Sequence, residues 1–504
     1  MLSAVDADAP AASVSSHTPW HRRVSTWLLA GWCAGWMWYL WSAQATRYGC
    51  PPGQKGCYQG PIAVYWWLWG AAGAVLLAGL CIVEARRPAL DSPVSPERRT
   101  RRRWLILGGV AGAVIGANLV LLGPMADNPF CAEPVHVNRA MAYPLNCDSH
   151  EFMRLAHHPR DVLDYHNPRQ SRPGYVALSA LAERTIGPVA HALRLDRLYK
   201  MPDRAQFPLV AINLAATAAA IALLAWQLAR LGTPGPASVA LCAFLAVNGI
   251  TTAFTWTPHQ QTFALLVPAA TVLVGRRLLL SRSASWRWPA LAGLAAGVAS
   301  LVYGSFLITA AVAGLILLYQ RRWLALTACI AAFAAPQLAW IAVCKLVTGD
   351  YYNQESKLYD EFIWLPIAAK QGPGPLWRGV HDMTLNTGRE LFTICMTALL
   401  LVTALAVTAV LLRVRLAALT DPQRATVLAA ALTAAAAVAF AWGIGLIADR
   451  LMFHALPALL VVAGWIIARI TTTRPRAGHA ITAAVVLFTA WTLTNEILTP
   501  GPYS

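Results

Sequence analysis

The chain contains 504 residues and carries a formal net charge of +17, with 40 lysine and arginine residues against 23 acidic residues. Hydrophobic residues make up 57% of the sequence and charged residues only 12%, roughly half the charged fraction of soluble globular proteins. The apolar residues form repeated blocks of about 20 residues, the length at which a helix crosses the hydrocarbon of a bilayer. This composition excludes a water-soluble globular protein and predicts an integral membrane protein.

The apolar blocks predict an all-α, polytopic bundle of about 13 transmembrane helices. The seventh and eighth blocks are short and flank Gly304, where a tight hairpin or a broken helix would reduce the count to as few as 11. In chain order the predicted spans are 26–46, 62–83, 104–123, 208–228, 237–255, 259–275, 289–303, 305–320, 324–345, 390–411, 425–447, 450–470 and 479–498.

The distribution of positive charge predicts the topology. Many basic residues lie in short tracts between apolar blocks, such as Arg276 with Arg277 and Arg321 with Arg322, which is typical of short cytoplasmic loops. No basic stripe is interleaved with aromatic residues, so we expect no nucleic-acid partner. The chain therefore divides into a cytoplasmic N-terminal arm (1–25), three spans (26–123), a large extracytoplasmic loop (124–207), spans 4–9 (208–345), a second extracytoplasmic loop (346–389) and spans 10–13 (390–504). We expect a bacterial inner membrane as its location.

Four cysteines lie in the predicted outside loops and the other six within apolar blocks. Cys50 and Cys57 share the first outside loop, and Cys131 and Cys147 share the second. We predict two disulfides in an oxidising compartment, because neither pair has the C-x-x-C spacing that favours a metal site.

Both long outside loops exceed the usual length of a connection and are candidates for function. The first is expected to carry amphipathic helices at the membrane surface. Its densest polar cluster, 146–175, contains Asp148 and Glu151, which share a face if the segment is helical. Two such carboxylates are suited to binding a divalent cation, Mg²⁺ or Mn²⁺, or to accepting a proton from an attacking hydroxyl. A solvated loop with surface ion pairs is the alternative.

Several segments resemble GT-C glycosyltransferases, multi-span enzymes that take sugars from polyprenyl-phosphate donors. The resemblance is carried by Asp148-Ser-His-Glu-Phe-Met-Arg-Leu-Ala156 and Asn167-Pro-Arg-Gln-Ser-Arg-Pro-Gly-Tyr175, by Leu291-Ala-Gly-Leu-Ala-Ala-Gly297 followed by Tyr303-Gly-Ser305, and by Asp449-Arg-Leu-Met-Phe-His-Ala-Leu-Pro457. It implies that an acidic residue shortly after a span acts as catalytic base or metal contact. This chain departs from the usual layout in having two additional spans before that loop and no adjacent pair of acidic residues.

Three carboxylates are candidates for the base. Asp148 ranks first because a disulfide at Cys147 would fix its backbone, and Glu151 ranks second. Asp127 ranks third because Asp-Asn-Pro reads equally well as a turn.

Cationic and imidazole side chains are candidates for binding the donor phosphate. The structural alternative for Arg450 is an ion pair with Asp449 that closes a hairpin. The alternative for His259 is an ordinary histidine at the membrane interface. The candidates are Arg169, Arg172, Arg450, His454 and His259.

These observations predict an inverting membrane glycosyltransferase that moves a sugar from a lipid-linked donor to an extracytoplasmic glycan, lipid or protein. A multi-span transporter or lipid flippase is the alternative from another class, although such proteins place ionisable residues near the bilayer midplane. A ligase of lipid-linked glycans shares the predicted architecture.

Overall fold

A computed structural model describes residues 132–136, 142–281, 285–415, 420–445 and 449–498, with a few helical residues between 112 and 118. Strands β1 (Ala132–His136) and β2 (Ala142–Asn146) form one antiparallel pair. The helices up to the middle of the chain are α1 (Cys147–His157), α2 (Pro173–Ala192), α3 (Leu195–Leu198), α4 (Gln206–Leu231), α5 (Gly235–Val247), α6 (Gly249–Trp256), α7 (Phe263–Leu280) and α8 (Arg287–Ser300). Those that follow are α9 (Leu307–Tyr319), α10 (Trp323–Thr348), α11 (Gln354–Tyr359), α12 (Trp364–Gln371), α13 (Pro373–Leu411), α14 (Asp421–Ile444), α15 (Asp449–Met452), α16 (Leu456–Thr473) and α17 (Pro475–Leu498). Short 3-10 turns cover Pro159–Leu163, Gln260–Thr262, Gly304–Phe306 and Phe453–Ala455.

The predicted all-α membrane architecture is confirmed, but the count of 13 spans is not. Within the described ranges, six helical segments are long and apolar enough to cross a membrane, and a bent pair would make a seventh. The first two predicted spans and most of the third lie outside the described residues. The six segments are Gln206–Leu231, Gln260–Leu280, Trp323–Thr348, Pro373–Leu411, Asp421–Ile444 and Phe453–Thr473.

Two predicted spans are interrupted. The fifth bends by 54° around Asn248, whose side chain caps α6 by accepting a hydrogen bond of 2.9 Å from the backbone N–H of Thr251. The region of the seventh and eighth spans consists of two short helices, α8 and α9, which are separated at 301–306 around Gly304. Asparagine capping therefore divides an apolar run that was predicted as a single span, whereas the break at 301–306 lies where a hairpin or broken helix was predicted at Gly304.

Helix α13 starts earlier than expected, at Pro373, within the segment 346–389 predicted as a loop. It has 39 residues, which correspond to a length of about 58 Å at 1.5 Å per residue. Because the hydrocarbon core is only about 30 Å thick, a large part of α13 extends beyond it.

The strand pair in the first long loop was not predicted. The Tyr143 ring of β2 is completely buried and stacks on Trp256 at the end of α6, with ring centroids 5.3 Å apart. The Tyr143 hydroxyl donates a hydrogen bond of 3.1 Å to the backbone oxygen of Tyr199, and the Trp256 indole donates one of 2.9 Å to the backbone oxygen of Asn118. The aromatic contacts attach the hairpin to the bundle, and α1 and α2 provide the helices expected in this loop.

The pairing of β1 with β2 involves the residues next to Cys131 and Cys147, the two cysteines of a predicted disulfide. Ala132 pairs with Asn146, and these two residues are the chain neighbours of the two cysteines. Cys50, Cys57 and Cys131 lie outside the described residues, as does the side chain of Cys147. Among the cysteines whose side chains are described, Cys242, Cys329, Cys344 and Cys395 are free and buried.

Contacts between helix ends define an arginine-rich end of the bundle. Gln320 donates a hydrogen bond of 3.1 Å to the Leu278 carbonyl, Gln423 donates one of 3.2 Å to the Leu231 carbonyl, and Arg469 donates one of 3.1 Å to the Arg415 carbonyl. The loops joined in this way include the following basic residues: Arg230, Arg276, Arg277, Arg321, Arg322, Arg413, Arg415, Arg424, Arg469 and Arg474. Helices α7, α9 and α16 run from the opposite end towards this one.

Helices α8 and α10 pack with almost no space between their backbones. A methyl group added to Gly293 would overlap the Cys329 carbonyl, and one added to Gly297 would overlap the Phe333 carbonyl. Small residues four positions apart permit such close approach, which gives membrane helices the van der Waals contact that holds them together.

We expect Gly297→Ala to lower the free energy of unfolding by about 1–3 kcal/mol, because the added methyl group forces α8 away from α10. Thermal unfolding of the purified protein in detergent measures the effect. The matched control is Gly314→Ala in α9, where the added carbon would lie 3.5 Å from Leu326, an ordinary contact. Equal stability of the two variants would contradict the packing.

We expect peptide mapping without reduction to recover Cys131 linked to Cys147 and Cys50 linked to Cys57. Labelling of these four thiols by a maleimide in unfolded, unreduced protein would argue against both disulfides. The buried cysteine Cys395 serves as the internal control, since its free thiol reacts once the chain is unfolded.

Candidate functional site

Asp148 lies in the first turn of α1, at the end of the bundle opposite the arginine-rich loops. Asn146 caps this helix by accepting a hydrogen bond of 2.9 Å from the Asp148 backbone N–H. The buried side chains of Phe152, Leu155 and Ala156 fix α1 against its neighbours. A carboxylate in a first turn is favoured by the helix dipole. The Asp148 side chain keeps 35% of its surface exposed, so a ligand can reach it.

Two side chains hold the Asp148 carboxylate from different sides. Arg169 donates a hydrogen bond through Nη2 to Oδ1, and His259 Nε2 lies 3.5 Å from Oδ2. The other ring nitrogen of His259, Nδ1, accepts a hydrogen bond of 3.2 Å from the Gln261 backbone N–H. A neutral His259 ring must therefore carry its proton on Nε2, the atom that faces Asp148.

Arg169 is the most buried cation at this site, with only 9% of its side chain exposed. Its backbone N–H is fixed by the side chain of Asn167, which accepts a hydrogen bond of 2.8 Å. The guanidinium lies 5.1 Å from the ring centroid of Phe152, and its Nε is buried without a hydrogen-bond partner among the described residues. Because a buried guanidinium with an unpaired N–H is costly, Arg169 is suited to receive a further acceptor such as an anion.

The electrostatics of the site keep Asp148 ionised. Burial by itself raises the pKa of its carboxyl, but the hydrogen bond from His259 and the charge of Arg169 outweigh burial and bring the pKa far below its usual value. A carboxylate in this state accepts hydrogen bonds strongly and is a weak proton acceptor. Asp148 becomes a stronger base only when Arg169 or His259 moves away from its carboxylate.

Glu151, the second-ranked candidate, is paired mainly with Arg154 at the surface, although the Asn167 side chain and the charge of Arg169 also act on its carboxylate. Arg154 binds it in a bidentate manner, with hydrogen bonds of 3.1 and 2.8 Å, and also donates one of 2.5 Å to Asp161. The hydrogen bond from Arg154 lowers the pKa of Glu151 against the opposing effect of burial. Asp148 and Glu151 are thus paired with different arginines, and the described residues contain no group of three or more side chains suited to a metal ion. Asp127 lies outside the described residues.

Arg172 lies in a loop that packs against the turn at 301–306. The Gly174 backbone N–H donates a hydrogen bond of 3.0 Å to the Leu301 carbonyl, and a carbon added to Gly174 would lie 2.9 Å from that carbonyl carbon. A carbon added to Gly304 would lie 3.6 Å from Nη1 of Arg172. The two glycines therefore allow the segment that bears Arg169 and Arg172 to approach the turn before α9.

His454 is completely buried at the start of the span that contains α16. Its Nδ1 lies 2.7 Å from the Leu451 carbonyl and donates to it, whereas Nε2 has no hydrogen-bond partner in the part of the chain that the structure describes. The ring stacks on Tyr303, with centroids 5.6 Å apart, and the Tyr303 hydroxyl accepts a hydrogen bond of 3.0 Å from the Gln261 side chain. His454 and His259 are thus joined through Tyr303 and Gln261. Arg450 belongs to α15, but its side chain lies outside the described residues.

Three residues of the site were not predicted from the sequence, namely Phe152, Gln261 and Tyr303. Their signal in the sequence is weak, because an aromatic residue in an amphipathic helix is usually core. The run His259-Gln-Gln261 at the beginning of an apolar block is the one feature that could have indicated buried polar contacts.

We expect Asp148→Asn to lower the free energy of unfolding by about 1–2 kcal/mol at pH 7. Buried Arg169 loses its counter-charge, while the exposure of Asp148 limits the effect. Because the pKa of Asp148 is lower in the folded than in the unfolded protein, its stabilisation is complete above about pH 4 and is lost as pH falls towards the folded pKa. Thermal unfolding between pH 7 and pH 2 should show that the difference in free energy of unfolding between wild type and variant becomes smaller below about pH 4. A difference that stays constant over this range would contradict the ion pair.

Comparisons with known proteins find no matching family model and no matching curated protein. Among solved structures, the chain is similar to an oligosaccharyltransferase of Archaeoglobus fulgidus, crystallised with zinc and sulfate, at 13% sequence identity and a TM-score of 0.40. The match covers 78% of this chain and 53% of the oligosaccharyltransferase chain. This chain therefore spans about half the length of that protein, and the likeness is too distant to assign a function.

Proposed function

We propose that the protein is a membrane glycosyltransferase that transfers a sugar from a polyprenyl-phosphate donor to an extracytoplasmic acceptor. One observation carries the proposal: the partly exposed Asp148 carboxylate contacts the buried cation Arg169 at the polar end of an apolar helix bundle. A carboxylate for the attacking hydroxyl and a cation for the departing phosphate are the two groups that this reaction requires.

The reaction is a displacement at the anomeric carbon. The acceptor hydroxyl oxygen forms a bond to this carbon, the bond from the carbon to the donor phosphate breaks, and the lipid phosphate leaves with the electron pair. Asp148 accepts the hydroxyl proton. Arg169 donates hydrogen bonds to the leaving phosphate, where negative charge develops.

The pairing of Asp148 with Arg169 explains how a carboxylate of low pKa acts as a base. When a donor phosphate binds Arg169, the guanidinium divides its hydrogen bonds between two anions. Its hold on Asp148 weakens, and the proton affinity of Asp148 rises towards that of an ordinary carboxylate. Acceptor activation thus follows donor binding.

The predicted phosphate ligands have different positions relative to this centre. Arg172 belongs to the same loop as Arg169 and is the second candidate for the donor phosphate. His259 orients Asp148, and His454 lies behind Tyr303 in the bundle. Arg450 remains a prediction from the sequence. A divalent cation, Mg²⁺ or Mn²⁺, would use Asp148 as a ligand after displacing Arg169 from it.

The positive-inside rule supports an extracytoplasmic site. The arginine-rich end is expected in the cytoplasm, which leaves Asp148 on the opposite side of the membrane. A polyprenyl-phosphate donor presents its sugar at that surface. Accessibility of a single cysteine introduced at position 150, whose side chain is exposed, to an impermeant maleimide in intact cells tests this orientation.

A transporter or flippase is less well supported. Such proteins carry ionisable residues on the translocation path. In the part of the chain that the structure describes, neutral groups make polar contacts between spans, such as Thr217 with Thr255 and Thr271 with Thr309, whereas the charged contact from Arg469 lies at the arginine-rich end. The ion pairs lie in the segments around α1, α2 and α10–α13. A ligase of lipid-linked glycans remains the second candidate. It differs from the proposed glycosyltransferase in the size of the glycan that the donor carries.

We expect Asp148→Asn to reduce sugar transfer by at least about 100-fold, the usual contribution of a general base. Purified protein is incubated with a radiolabelled polyprenyl-phosphate sugar and membrane extract, and label in a new product is measured. Glu151→Gln is the matched control and should retain activity, because its carboxylate belongs to the Arg154 network. Binding of the labelled donor to both variants shows whether the folded site is intact. Transfer by Asp148→Asn at the wild-type rate would remove the residue from the mechanism, and export of unmodified label from vesicles would favour transport.

A further inference from the structure

Three rings form a continuous stack where the two long loops meet. Tyr165 stacks on His166 with ring centroids 3.8 Å apart, and His166 lies 4.9 Å from the ring of Tyr352. Lys357 lies 5.8 Å from the centroid of Tyr352. Residues almost 200 positions apart in the chain thus contribute to a single aromatic surface.

Gln170 holds the two loops together below this stack. Its side chain donates a hydrogen bond of 2.8 Å to the backbone carbonyl of Asp164 and accepts one of 2.9 Å from the backbone N–H of Tyr352. The backbone carbonyl of Gln170 accepts a hydrogen bond of 2.7 Å from the Trp340 indole. Gln170 is only 1% exposed, so these bonds are shielded from water and fix the relative position of the loops.

The outer ring of the stack is open to solvent. Tyr165 is 68% exposed although His166 covers one of its faces, so the opposite face is the exposed one. The backbone of His166 adopts a left-handed conformation with φ of 57°, which is uncommon for a residue other than glycine. This conformation positions the imidazole between the two tyrosines. A large aromatic face held open by buried hydrogen bonds is an unusual arrangement for a surface loop and indicates a ligand.

Polar groups surround the stack. The Asp350 carboxylate lies 3.7 Å from His166 Nε2, and the side chains of both residues are close to half exposed. Lys357 adds an ammonium donor 5.8 Å from the centroid of the Tyr352 ring. An aromatic face bordered by a carboxylate acceptor and an ammonium donor matches a sugar ring, whose C–H face stacks on aromatic rings while its hydroxyls form hydrogen bonds. An apolar lipid chain would leave these charged groups unsatisfied.

We propose that Tyr165, His166 and Tyr352 form a carbohydrate-binding platform that holds a glycan acceptor beside the catalytic centre. Its assignment to the acceptor rests on the proposed function. His166 is three residues from Arg169, so their Cα atoms are at most about 11 Å apart. The platform therefore binds sugar units a short distance from the hydroxyl that Asp148 activates, and an acceptor of several sugar residues satisfies both sites.

A printed glycan array tests the platform directly. Detergent-solubilised wild-type protein is expected to bind one class of oligosaccharide in the absence of any lipid-linked donor. Tyr165→Ala should weaken this binding about 10-fold through loss of stacking, and Tyr165→Phe should retain it because the ring remains. Tyr319→Ala is the matched control, since Tyr319 is 85% exposed and precedes the arginine-rich loop at Arg321. Absence of binding to every glycan, or equal binding by the Tyr165→Ala and Tyr319→Ala variants, overturns the proposal.

The kinetics of sugar transfer separate this inference from the proposed function. Tyr165→Ala should raise KM for the glycan acceptor about 10-fold and leave kcat nearly unchanged, because the platform binds the acceptor away from the reacting atoms. An unchanged KM in an active enzyme would reject the platform alone. Binding to the array by a protein that transfers no sugar would reject the glycosyltransferase and leave the platform supported.

Discussion

A polar side chain that enters an apolar helix bundle must find its partner there, because neither lipid nor a dry helix interface supplies one. This constraint organises the polar end of the bundle. Gln261 serves two neighbours, since its backbone N–H is bound by His259 and its side chain donates to Tyr303. Tyr303 in turn stacks on His454. The starts of three helical segments thereby become linked at the level where Asp148 lies.

The same constraint explains why Arg169 and Asp148 occur together. A buried guanidinium alone would be strongly destabilising, and a carboxylate in contact with it gives up most of its basicity. Within the described ranges, Arg169 still has a buried Nε without a hydrogen-bond partner. The pair is thus stable without a ligand and still has a donor for an anion, which is the property that the proposed release of a lipid phosphate requires. His259 contributes orientation, because its tautomer is fixed from the side away from Asp148.

Close backbone packing brings the loops to this centre. Gly174 contacts the turn after α8, and Gly293 and Gly297 allow α8 to contact α10 directly. Helix α10 then ends near the second long loop, whose residue Tyr352 is hydrogen-bonded to Gln170. A series of small residues and buried amides therefore connects the interior of the bundle with both the Asp148 site and the aromatic platform.

The sequence by itself determined the membrane character, the all-α class and the approximate position of most described spans, because these depend on the length and apolarity of continuous segments. It also placed Asp148 first among the carboxylates and identified Arg169 and His259 as site candidates. Tertiary structure decided what local patterns do not encode: the break at Asn248, the β hairpin held by Tyr143 on Trp256, and the pairing of Asp148 with Arg169 and His259 instead of with Glu151. Tertiary structure also decided that residues 165–170 contact residues 350–357. Each of these features is a contact between segments distant in the chain, and its existence depends on which helices pack together.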